Sequence, residues 1–494
     1  MISRPPIDWL ALAPSLALTA AAVISLLASV LVPARARKPV SALVCGLGFA
    51  AATFWAALLY DRSPKGTSVI HEALFRDRYG ALAALLVGGA GLLTTLVFYG
   101  ERRAEELAGE RYALLAAAGG GMIFFAQAAN LLTLFLGLEW FSISLYVLCA
   151  LDRDRVEAIE AGFKYLIVGS FSSAILVFGA ALVYGAGGTI ELAKIADIAP
   201  SGDLLLLTGL AMILTGLAFK ASAAPFHMWT PDVYQGAPTP LAGFMAAATK
   251  TVALVVALRV LVTAFPHQEY LWTYAIAVIA LISLVVGNLA ALVQKDVKRM
   301  LAYSSISHAG FLLLALTAIG SVSERSQLGG RALLFYLIPY GAASIGAFAV
   351  VAARERELGR AVSLDDLAGF GWERPLLGVS LWIFMLTFAG FPLTGGFIGK
   401  LYLFSAAYKN GFLWLVVVGV VATLVSLGYY LAVVRSLYMR SSLESEAGAH
   451  EAPAPAERLL ATAVGIAVVV AVGSFFAAQP LIDFVRSAAN QLPL

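Results

Sequence analysis

Residues 204–230 read LLLLTGLAMILTGLAFKASAAPFHMWT. The first part is an apolar stretch typical of a membrane helix, and Lys220 is its one charged side chain. Pro225 then removes a backbone donor and clashes with the preceding turn, so the helix must break beside the lysine. Backbone carbonyls that are freed inside a membrane need protein groups or water as partners. The stretch therefore predicts a membrane helix that is interrupted at a buried charge, where water can enter.

The composition of the whole chain indicates a membrane protein. Of its 494 residues, 61% are hydrophobic and 13% are charged, against about 45–50% and about 25% in soluble proteins. The apolar excess must face lipid, because a soluble chain needs a matching polar surface. The composition excludes a disordered chain, a secreted disulfide scaffold and a nucleic-acid binder. The net charge of +3 implies no anionic partner.

Cofactor-binding patterns are missing from the sequence. The two cysteines, Cys45 and Cys149, both lie in apolar runs, and the five histidines are scattered. This pattern provides no disulfide framework, zinc site or iron–sulfur cluster. We also find no glycine-rich dinucleotide fingerprint and no phosphate loop. We therefore expect no cofactor in this chain, and any electron transfer would take place in another one.

About fourteen apolar runs are long enough to cross a membrane, so we expect an all-α integral membrane protein with about fourteen transmembrane helices. The runs lie near residues 10–32, 40–60, 79–99, 112–128, 130–150, 160–184, 204–230, 239–264, 271–293, 300–319, 331–353, 376–408, 412–434 and 458–478.

The loops between these runs predict the orientation. Loops after odd-numbered runs hold most of the loop lysine and arginine, and such loops stay in the cytoplasm. We therefore expect both termini outside, in a multi-pass protein of the bacterial inner (plasma) membrane. The first run is followed, not preceded, by a basic cluster, which indicates a retained span rather than a cleaved signal. Ser441–Pro455 is expected to be a mobile cytoplasmic loop.

Few ionisable side chains fall within the runs, where each charge costs about 2.5–3.5 kcal/mol at the bilayer centre. Glu139 lies in the middle of its run, and Lys220 is also deep. A carboxylate close to a buried lysine stabilises its charged form. We therefore expect a Glu139–Lys220 pair that controls when the lysine releases its proton. The alternative is a static ion pair between helices.

Two more lysines, Lys250 and Lys400, lie inside runs, and one central glutamate cannot serve three lysines. Some of them must be neutral or hydrated at times, as a proton relay requires. His308 follows a serine-rich stretch and can relay protons near neutral pH. The alternative for His308 is a hydrogen bond that packs helices.

Three further ionisable side chains also lie within the runs. His227 lies in the helix break and is another candidate for proton transfer. Lys164 lies about one turn inside the end of its run, where snorkelling to the surface is an alternative. Arg259 is near the end of its run and is expected to be structural.

A second interrupted run reads AGFPLTGGFIGK at residues 389–400. The two breaks fall in the seventh and twelfth runs, and paired broken helices are typical of transporters with internal repeats. We therefore expect two inverted five-helix repeats, each with one broken helix. The expected segments are 1–111 with three spans, 112–264 and 265–434 with one repeat each, and 435–494 with a polar loop and the last span.

Two motifs carry a family resemblance. Residues 219–240, FKASAAPFHMWTPDVYQGAPTP, and residues 294–310, QKDVKRMLAYSSISHAG, closely resemble the antiporter-like membrane subunits of respiratory complex I, the proton-pumping NADH–quinone oxidoreductase. The likeness covers about 112–434. The sequence of Met228–Tyr234 resembles that of the N-type subunits. The M-type subunits usually carry glutamate at the position that corresponds to Lys400.

The resemblance implies roles for the candidate residues. Glu139 and Lys220 match the input pair, Lys250 the connecting lysine and Lys400 the lysine that hands the proton outward. His308 matches the central histidine, and Lys164 matches a sixth-helix lysine.

The resemblance also implies a proton-translocating membrane subunit of NADH–quinone oxidoreductase, coupled to quinone reduction in partner chains. Quinone, FMN and iron–sulfur clusters would then belong to partner subunits. The expected partners are an M-like subunit, the small membrane subunits that link to the quinone site, and lipid, but no nucleic acid. The alternatives are a subunit of a multi-chain sodium/proton antiporter and a purely structural membrane spacer.

Overall fold

The computed structural model describes residues 7–101, 105–198, 202–319, 327–440 and 458–492. The chain is almost entirely helical there, with one small hairpin of β1 (Thr67–Val69) and β2 (Leu74–Arg76). The helices are α1 (Trp9–Leu31), α2 (Ala34–Asp61), α3 (Arg78–Tyr99), α4 (Ala108–Ala126), α5 (Leu131–Cys149), α6 (Val156–Gly187), α7 (Leu192–Ile198), α8 (Leu204–Lys220), α9 (Trp229–Gly236), α10 (Thr239–Phe244), α11 (Lys250–Ala264), α12 (Glu269–Leu292), α13 (Val297–Thr317), α14 (Gln327–Leu358), α15 (Phe370–Glu373), α16 (Pro375–Ala389), α17 (Gly395–Lys409), α18 (Leu413–Met439), α19 (Arg458–Phe476) and α20 (Ala478–Ala489).

The predicted all-α membrane architecture is confirmed. Within the described ranges, eleven helices are long and apolar enough to cross a membrane. Two other predicted runs hold helices below that length because they are interrupted, at α8 and at α16. The remaining predicted run holds α4, whose first turn contains the charged residues Glu110 and Arg111. Every predicted run coincides with helix, but the total of fourteen crossings stays a prediction.

The first predicted break is confirmed. The helix α8 ends at Lys220, its last residue, and α9 begins at Trp229. Between them, Ser222 has a positive φ of 60° and the Ala224–Pro225 peptide bond is cis. The amide of Ala224 donates to Ser283 Oγ on α12 at 2.8 Å. A side chain of a neighbouring helix thus accepts a hydrogen bond from a backbone amide that the break leaves without a helical partner.

The second predicted break separates α16 from α17. The helix α16 ends at Ala389, and its C-cap Gly390 has a φ of +76°, a left-handed conformation that favours glycine. A side-chain carbon at this position would lie 2.8 Å from Cδ of Lys400. Glycine therefore allows both the chain reversal and the close approach of the lysine.

A third irregularity was not predicted from the sequence. Met245–Thr249 forms one turn of π-helix between α10 and α11, directly before Lys250. Such π-bulges appear frequently at functional sites.

The loops after odd-numbered runs lie together on one side of the protein. They are joined by contacts between Lys38 Nζ and Glu101 O (3.0 Å), Arg356 Nη2 and Val97 O (2.7 Å), Arg155 Nη1 and Glu355 Oε1 (3.8 Å), Arg440 Nη1 and Asp365 Oδ1 (2.5 Å), and by a β-bridge between Asp296 and Ser363. This agrees with the division of loops that the basic residues predict. The predicted loop Ser441–Pro455 lies outside the described residues.

The opposite side holds both ends of the described chain. Asp8 accepts from Arg76 at 2.9 Å, and Asn490 accepts from Arg331 at 3.0 Å. The side chain of Gln491 donates to Ser63 O at 2.7 Å. The two ends therefore share one side of the protein, as an even number of crossings requires.

The centre of the protein is formed by α10–α11, α13 and α14, whose apolar segments are almost completely buried. The helices α1, α2, α6, α18 and α19 lie around them and expose many leucine, valine and phenylalanine side chains. Because the exposed surface of these outer helices is apolar, it suits lipid. The central helices carry Lys250, His308 and two buried tyrosines, Tyr336 and Tyr340.

Candidate functional site: a buried line of lysine, histidine and tyrosine side chains

Lys220 ends α8 with its side chain only 1% exposed. Its Nζ has no hydrogen-bond partner among the residues that the structure describes. It faces instead the rings of Tyr165, Phe141, Tyr146 and Phe219, whose centroids lie 5.2, 5.3, 5.4 and 5.7 Å away. Aromatic faces attract a desolvated ammonium group by about 2 kcal/mol. The rings therefore hold the charged lysine in a site that offers it no direct hydrogen-bond acceptor.

Glu139 lies on α5, a helix that begins with a capping box of Asn130 and Thr133. Its Oε1 atom is buried and has no hydrogen-bond partner in the described part of the chain. Within the described residues, no salt bridge or hydrogen bond joins Glu139 to Lys220, although the charge of the glutamate acts on the lysine. The two groups of the predicted pair are therefore electrostatically coupled but not in direct contact.

Lys250 connects the first break to the centre of the protein. Its Nζ donates to Ala221 O at 3.1 Å and to Ser305 O on α13 at 2.5 Å. Ala221 directly follows Lys220 and is the C-cap of α8. Carbonyls at a helix end lack partners within the helix. The lysine therefore supplies the hydrogen-bond donor that the Ala221 carbonyl lacks at the break. Lys250 thus binds the carbonyl of the residue that directly follows Lys220.

His308 lies on α13 with both ring nitrogens hydrogen-bonded. Nδ1 is 2.8 Å from the hydroxyl of Tyr336, and Nε2 is 3.1 Å from the hydroxyl of Tyr430. The Tyr430 hydroxyl is also 2.5 Å from Ser304 Oγ. The adjacent Ser305 accepts from Lys250 through its carbonyl and exchanges a hydrogen bond with Tyr340 at 3.1 Å. A hydrogen-bonded cluster thus occupies the space between Lys250 and the second break.

Lys400 lies in α17 and, like Lys250, binds a carbonyl at the end of a broken helix. Its Nζ donates to Ala389 O, at the end of α16, at 3.2 Å, and lies 3.5 Å from Thr423 Oγ1. It also lies 4.3 Å from the ring centroid of Phe311, which contacts His308 at 5.8 Å. Each of the two breaks therefore has a buried lysine bound to a carbonyl at its helix end.

Lys164 lies apart from this line. Its side chain is 43% exposed and forms salt bridges with Glu160 at 2.7 Å and Asp232 at 2.8 Å. Asp232 also binds Arg299 at 2.6 Å. Glu160, Lys164 and Asp232 border an open cavity of about 580 Å³ on the side of the basic loops. Lys164 reaches the surface, as the snorkelling alternative predicts.

Tyr165 separates the surface cluster of Lys164 from Lys220. The ring of Tyr165 faces Lys220 and stacks on Trp229 at 4.5 Å. Trp229 Nε1 donates to Phe219 O at 3.1 Å. One aromatic layer therefore lies between the open cavity and the buried lysine.

His227 lies in the first break and is half-buried. Its carbonyl accepts from the amide of Thr230, in the first turn of α9, at 2.9 Å. Its Nδ1 atom is buried, with no hydrogen-bond partner within the described ranges. Among the described residues, no hydrogen bond joins it to Lys220 or Lys250.

Arg259 has the structural role that the sequence predicts. It binds Asp77, the N-cap of α3, at 2.9 Å, with both side chains almost fully buried. The sequence analysis did not identify Asp77 as the partner of Arg259.

Sequence reasoning also missed the tyrosines around His308. Tyr336 and Tyr340 are four residues apart, a spacing that places them on one helix face. Aromatic residues at this spacing usually pack a core, so the spacing alone does not indicate a relay.

No group of three or more metal-binding side chains occurs in the part of the chain that the structure describes. Cys45 and Cys149 are buried and not bonded to each other.

Comparisons with known proteins show the family of the chain as a whole. The family model described as NADH:quinone oxidoreductase/Mrp antiporter, TM, matches residues 128–426, more than half of the chain. NADH-quinone oxidoreductase subunit N of Trichlorobacter lovleyi is 38% identical over 87% of this chain and 88% of its own length. Subunit N of Salinibacter ruber is 44% identical over 79% of this chain and 77% of its own.

Solved structures show the same likeness. A chain of respiratory complex I from Thermus thermophilus superposes with a TM-score of 0.79 at 33% identity, covering 96% of this chain and 100% of that one. A chain of the Mrp complex from Dietzia sp. DQ12-45-1b superposes with a TM-score of 0.83 at 21% identity, covering 97% of each, and shares the fold. The chain belongs to the NADH:quinone oxidoreductase/Mrp antiporter family of membrane proteins, and within it to the group of NADH-quinone oxidoreductase subunit N.

Proposed function

We propose that this chain is a proton-translocating membrane subunit of an NADH–quinone oxidoreductase, and that it carries no redox cofactor itself. One observation carries the proposal: three buried lysines and a histidine lie along one line through the protein. The line runs from Lys220 past Ala221 to Lys250, through Ser305 and the His308 cluster, and on to Lys400. A static membrane spacer gains nothing from four such costly groups.

The mechanism begins at Glu139. It lies between Leu136 and Ile143, which are 50% and 55% exposed, so it is placed to sense a charge that changes in a neighbouring subunit. Two unit charges about 4 Å apart interact by about 4 kcal/mol at an effective dielectric constant near 20. A movement of Glu139 towards or away from Lys220 would therefore load or unload the proton of the lysine.

The proton would then pass through Lys250 and His308 to Lys400. The first step is supported by the shared peptide segment at Ala221, and the last by the ring of Phe311 between His308 and Lys400. Lys164 and Asp232 would act at the cytoplasmic surface, where protons enter the open cavity. His227 would exchange protons with the water that reaches the first break.

Partner subunits would supply the redox chemistry. Quinone, FMN and iron–sulfur clusters would lie there, and an M-like subunit and small membrane subunits would contact this chain. We further propose that the protein lies in the bacterial plasma membrane with its basic loops in the cytoplasm and both termini outside. The segments 112–264 and 265–434 would be its two inverted repeats, each with one of the broken helices.

The test uses sealed inverted membranes that carry Lys220→Ala in the assembled complex, with donor oxidation and internal acidification followed together. Lys194→Ala is the matched control, because Lys194 is an exposed lysine paired with Glu191. We expect Lys220→Ala to lose both activities and the control to keep both. Normal oxidation and acidification in Lys220→Ala would overturn the proposal.

The sodium/proton antiporter is the alternative that this family leaves open. It shares the fold and the buried lysines but has no redox partner. The relatives at 38–44% identity are named subunit N, which favours the redox-coupled function. Loss of sodium-driven proton exchange in Lys220→Ala, with donor oxidation unchanged, would establish the antiporter instead.

A further inference from the structure

His308 stands between two tyrosine hydroxyls in a continuous chain of hydrogen bonds. In order, the chain is Tyr336 Oη, His308 Nδ1, His308 Nε2, Tyr430 Oη and Ser304 Oγ, with contacts of 2.8, 3.1 and 2.5 Å between the side chains. All four side chains are at most 2% exposed. Every member is a group that can both donate and accept a hydrogen bond.

Two arrangements of the hydrogens fit these contacts. In one, Tyr336 donates to Nδ1, His308 carries its hydrogen on Nε2 and donates it to Tyr430, and Tyr430 donates to Ser304. In the other, every donor is reversed and His308 carries its hydrogen on Nδ1. Among the described residues, one hydroxyl at an end of the chain lacks an acceptor in either arrangement, so exchanging one for the other does not change the number of hydrogen bonds.

A positively charged imidazole ring fits these contacts less well. It would donate from both nitrogens, and the hydrogens of Tyr336 and Ser304 would then both lack an acceptor among the described residues. The ionisable groups that act on His308 are Lys250 and Lys400, which would repel a positive ring. The other titratable groups that face the ring are Tyr336, Tyr340 and Tyr430, all neutral hydroxyls at ordinary pH.

We infer that Tyr336 and Tyr430 are relay residues, and that His308 passes protons between them as a neutral imidazole that exchanges one tautomer for the other. This inference rests on the proposed proton pathway and specifies how its central step works.

The step balances in protons. In the direction of the proposed pathway, Ser304 takes a proton at its end of the chain and gives its own hydrogen to Tyr430. Tyr430 gives its hydrogen to Nε2, Nδ1 gives its hydrogen to Tyr336, and Tyr336 releases one on the side of α17. One proton crosses the cluster, and His308 changes from the Nδ1–H to the Nε2–H tautomer. The cluster is then set for transfer in the opposite direction, and the first arrangement returns only when the hydroxyls rotate and the hydrogen of His308 moves back from Nε2 to Nδ1.

Two lysines lie near the two ends of this hydrogen-bonded chain and determine the direction in which it passes protons. Ser304 is adjacent to Ser305, whose carbonyl accepts from Lys250. The ring of Tyr336 lies against Gly399, the residue before Lys400, where a side-chain carbon would come within 2.2 Å of Cδ2 of the tyrosine. The lysine that is loaded with a proton decides which way the chain is used.

The first experiment measures proton transport per donor oxidised in sealed inverted membranes with Tyr336→Phe or Tyr430→Phe in the assembled complex. Phenylalanine keeps the ring and removes the hydroxyl. Tyr429→Phe is the matched control, because Tyr429 is equally buried on the same helix as Tyr430 but donates to Asn288 at 3.0 Å. We expect about a tenfold or larger loss in the two variants and transport close to wild type in the control.

The second experiment detects the tautomer directly, which a purely structural role would not affect. The complex is labelled with 15N-histidine, and the signals of His308 are identified by difference from His308→Gln. We expect one protonated and one unprotonated nitrogen, and a change at Nδ1 in Tyr336→Phe. Two protonated nitrogens in the wild type would overturn the inference.

The outcomes separate the inference from the proposed function. Normal transport in both tyrosine variants, with loss in His308→Gln and Lys250→Ala, would overturn the tyrosine relay and leave the proposed pathway in place. Normal transport in His308→Gln and Lys250→Ala as well would overturn both.

Discussion

Lys250 donates a hydrogen bond from Nζ to the carbonyl oxygen of Ala221, 29 residues earlier in the chain, at 3.1 Å. The contact joins the helix after the π-turn to the end of the broken helix that carries Lys220. A buried ammonium group and a carbonyl at a helix end each need a partner in an apolar interior. One hydrogen bond therefore satisfies the break and brings the two lysines to the same peptide segment.

Lys250→Met should abolish proton transport and also destabilise the protein. The substitution keeps a similar side-chain length but leaves the carbonyls of Ala221 and Ser305 without their lysine donor. A buried group without its partner costs about 1–3 kcal/mol, so we expect a loss of about 2–4 kcal/mol. Thermal unfolding of the purified complex and acidification of sealed vesicles measure the two effects. Full transport in this variant would exclude Lys250 from the pathway.

Glu139→Gln should reduce proton transport while preserving assembly. Glutamine has the shape of glutamate but lacks the charge that acts on Lys220. Because Glu139 makes no salt bridge within the described residues, its removal should change stability little. The measurement compares protons moved per donor oxidised with the amount of assembled complex. An undiminished ratio would contradict the coupling role of the glutamate.

Arg259→Met should destabilise the protein strongly without a direct effect on the lysines. It leaves Asp77 buried without its cation, and breaking a buried ion pair costs about 3–5 kcal/mol. The double variant Arg259→Met, Asp77→Asn should recover most of this loss, because asparagine is neutral and can still cap α3. The melting temperatures of the three proteins test this. Equal destabilisation in the single and double variants would show that the charge is not the cause.

Gly399→Ala should impair proton transport through Tyr336. A methyl group at position 399 would lie 2.2 Å from the tyrosine ring, which must then move away from His308. Overpacking of this kind costs about 1–3 kcal/mol. Gly89→Ala is the control, because no atom lies within 4 Å of its added carbon. Wild-type transport in Gly399→Ala would mean that the ring position is not critical.

Asp366 should stabilise the loop after α14 in a pH-dependent way. The hydrogen bonds from Arg360, with those from Ser363, lower the pKa of this carboxyl from 3.8 to about 2. Its stabilisation is present above about pH 4 and is lost as the pH falls towards 2. Because Arg360 is 61% exposed, solvent screening limits the contribution to about 1 kcal/mol.

Asp366→Asn should therefore lower the melting temperature at pH 6 and lower it much less at pH 2.5. An equal decrease at both pH values would show that the effect does not depend on the carboxylate charge.

The sequence by itself determined which segments enter the membrane, where two of them break and which charges are buried. These properties are local. A lipid environment requires long apolar runs, proline interrupts a helix wherever it stands, and a lysine in the middle of an apolar run cannot avoid burial. The breaks beside Lys220 and Lys400 follow from these rules, and the structure has both.

Only the tertiary structure decided what the buried groups touch. The contacts from Lys250 to Ser305 and from His308 to Tyr430 join helices separated by 55 and 122 residues in the chain. Such contacts depend on how helices pack and rotate against each other, which apolar periodicity does not specify when a helix is buried on all sides. The same reason explains why Glu139 and Lys220 are coupled without contact and why the tyrosines beside His308 read as ordinary core residues.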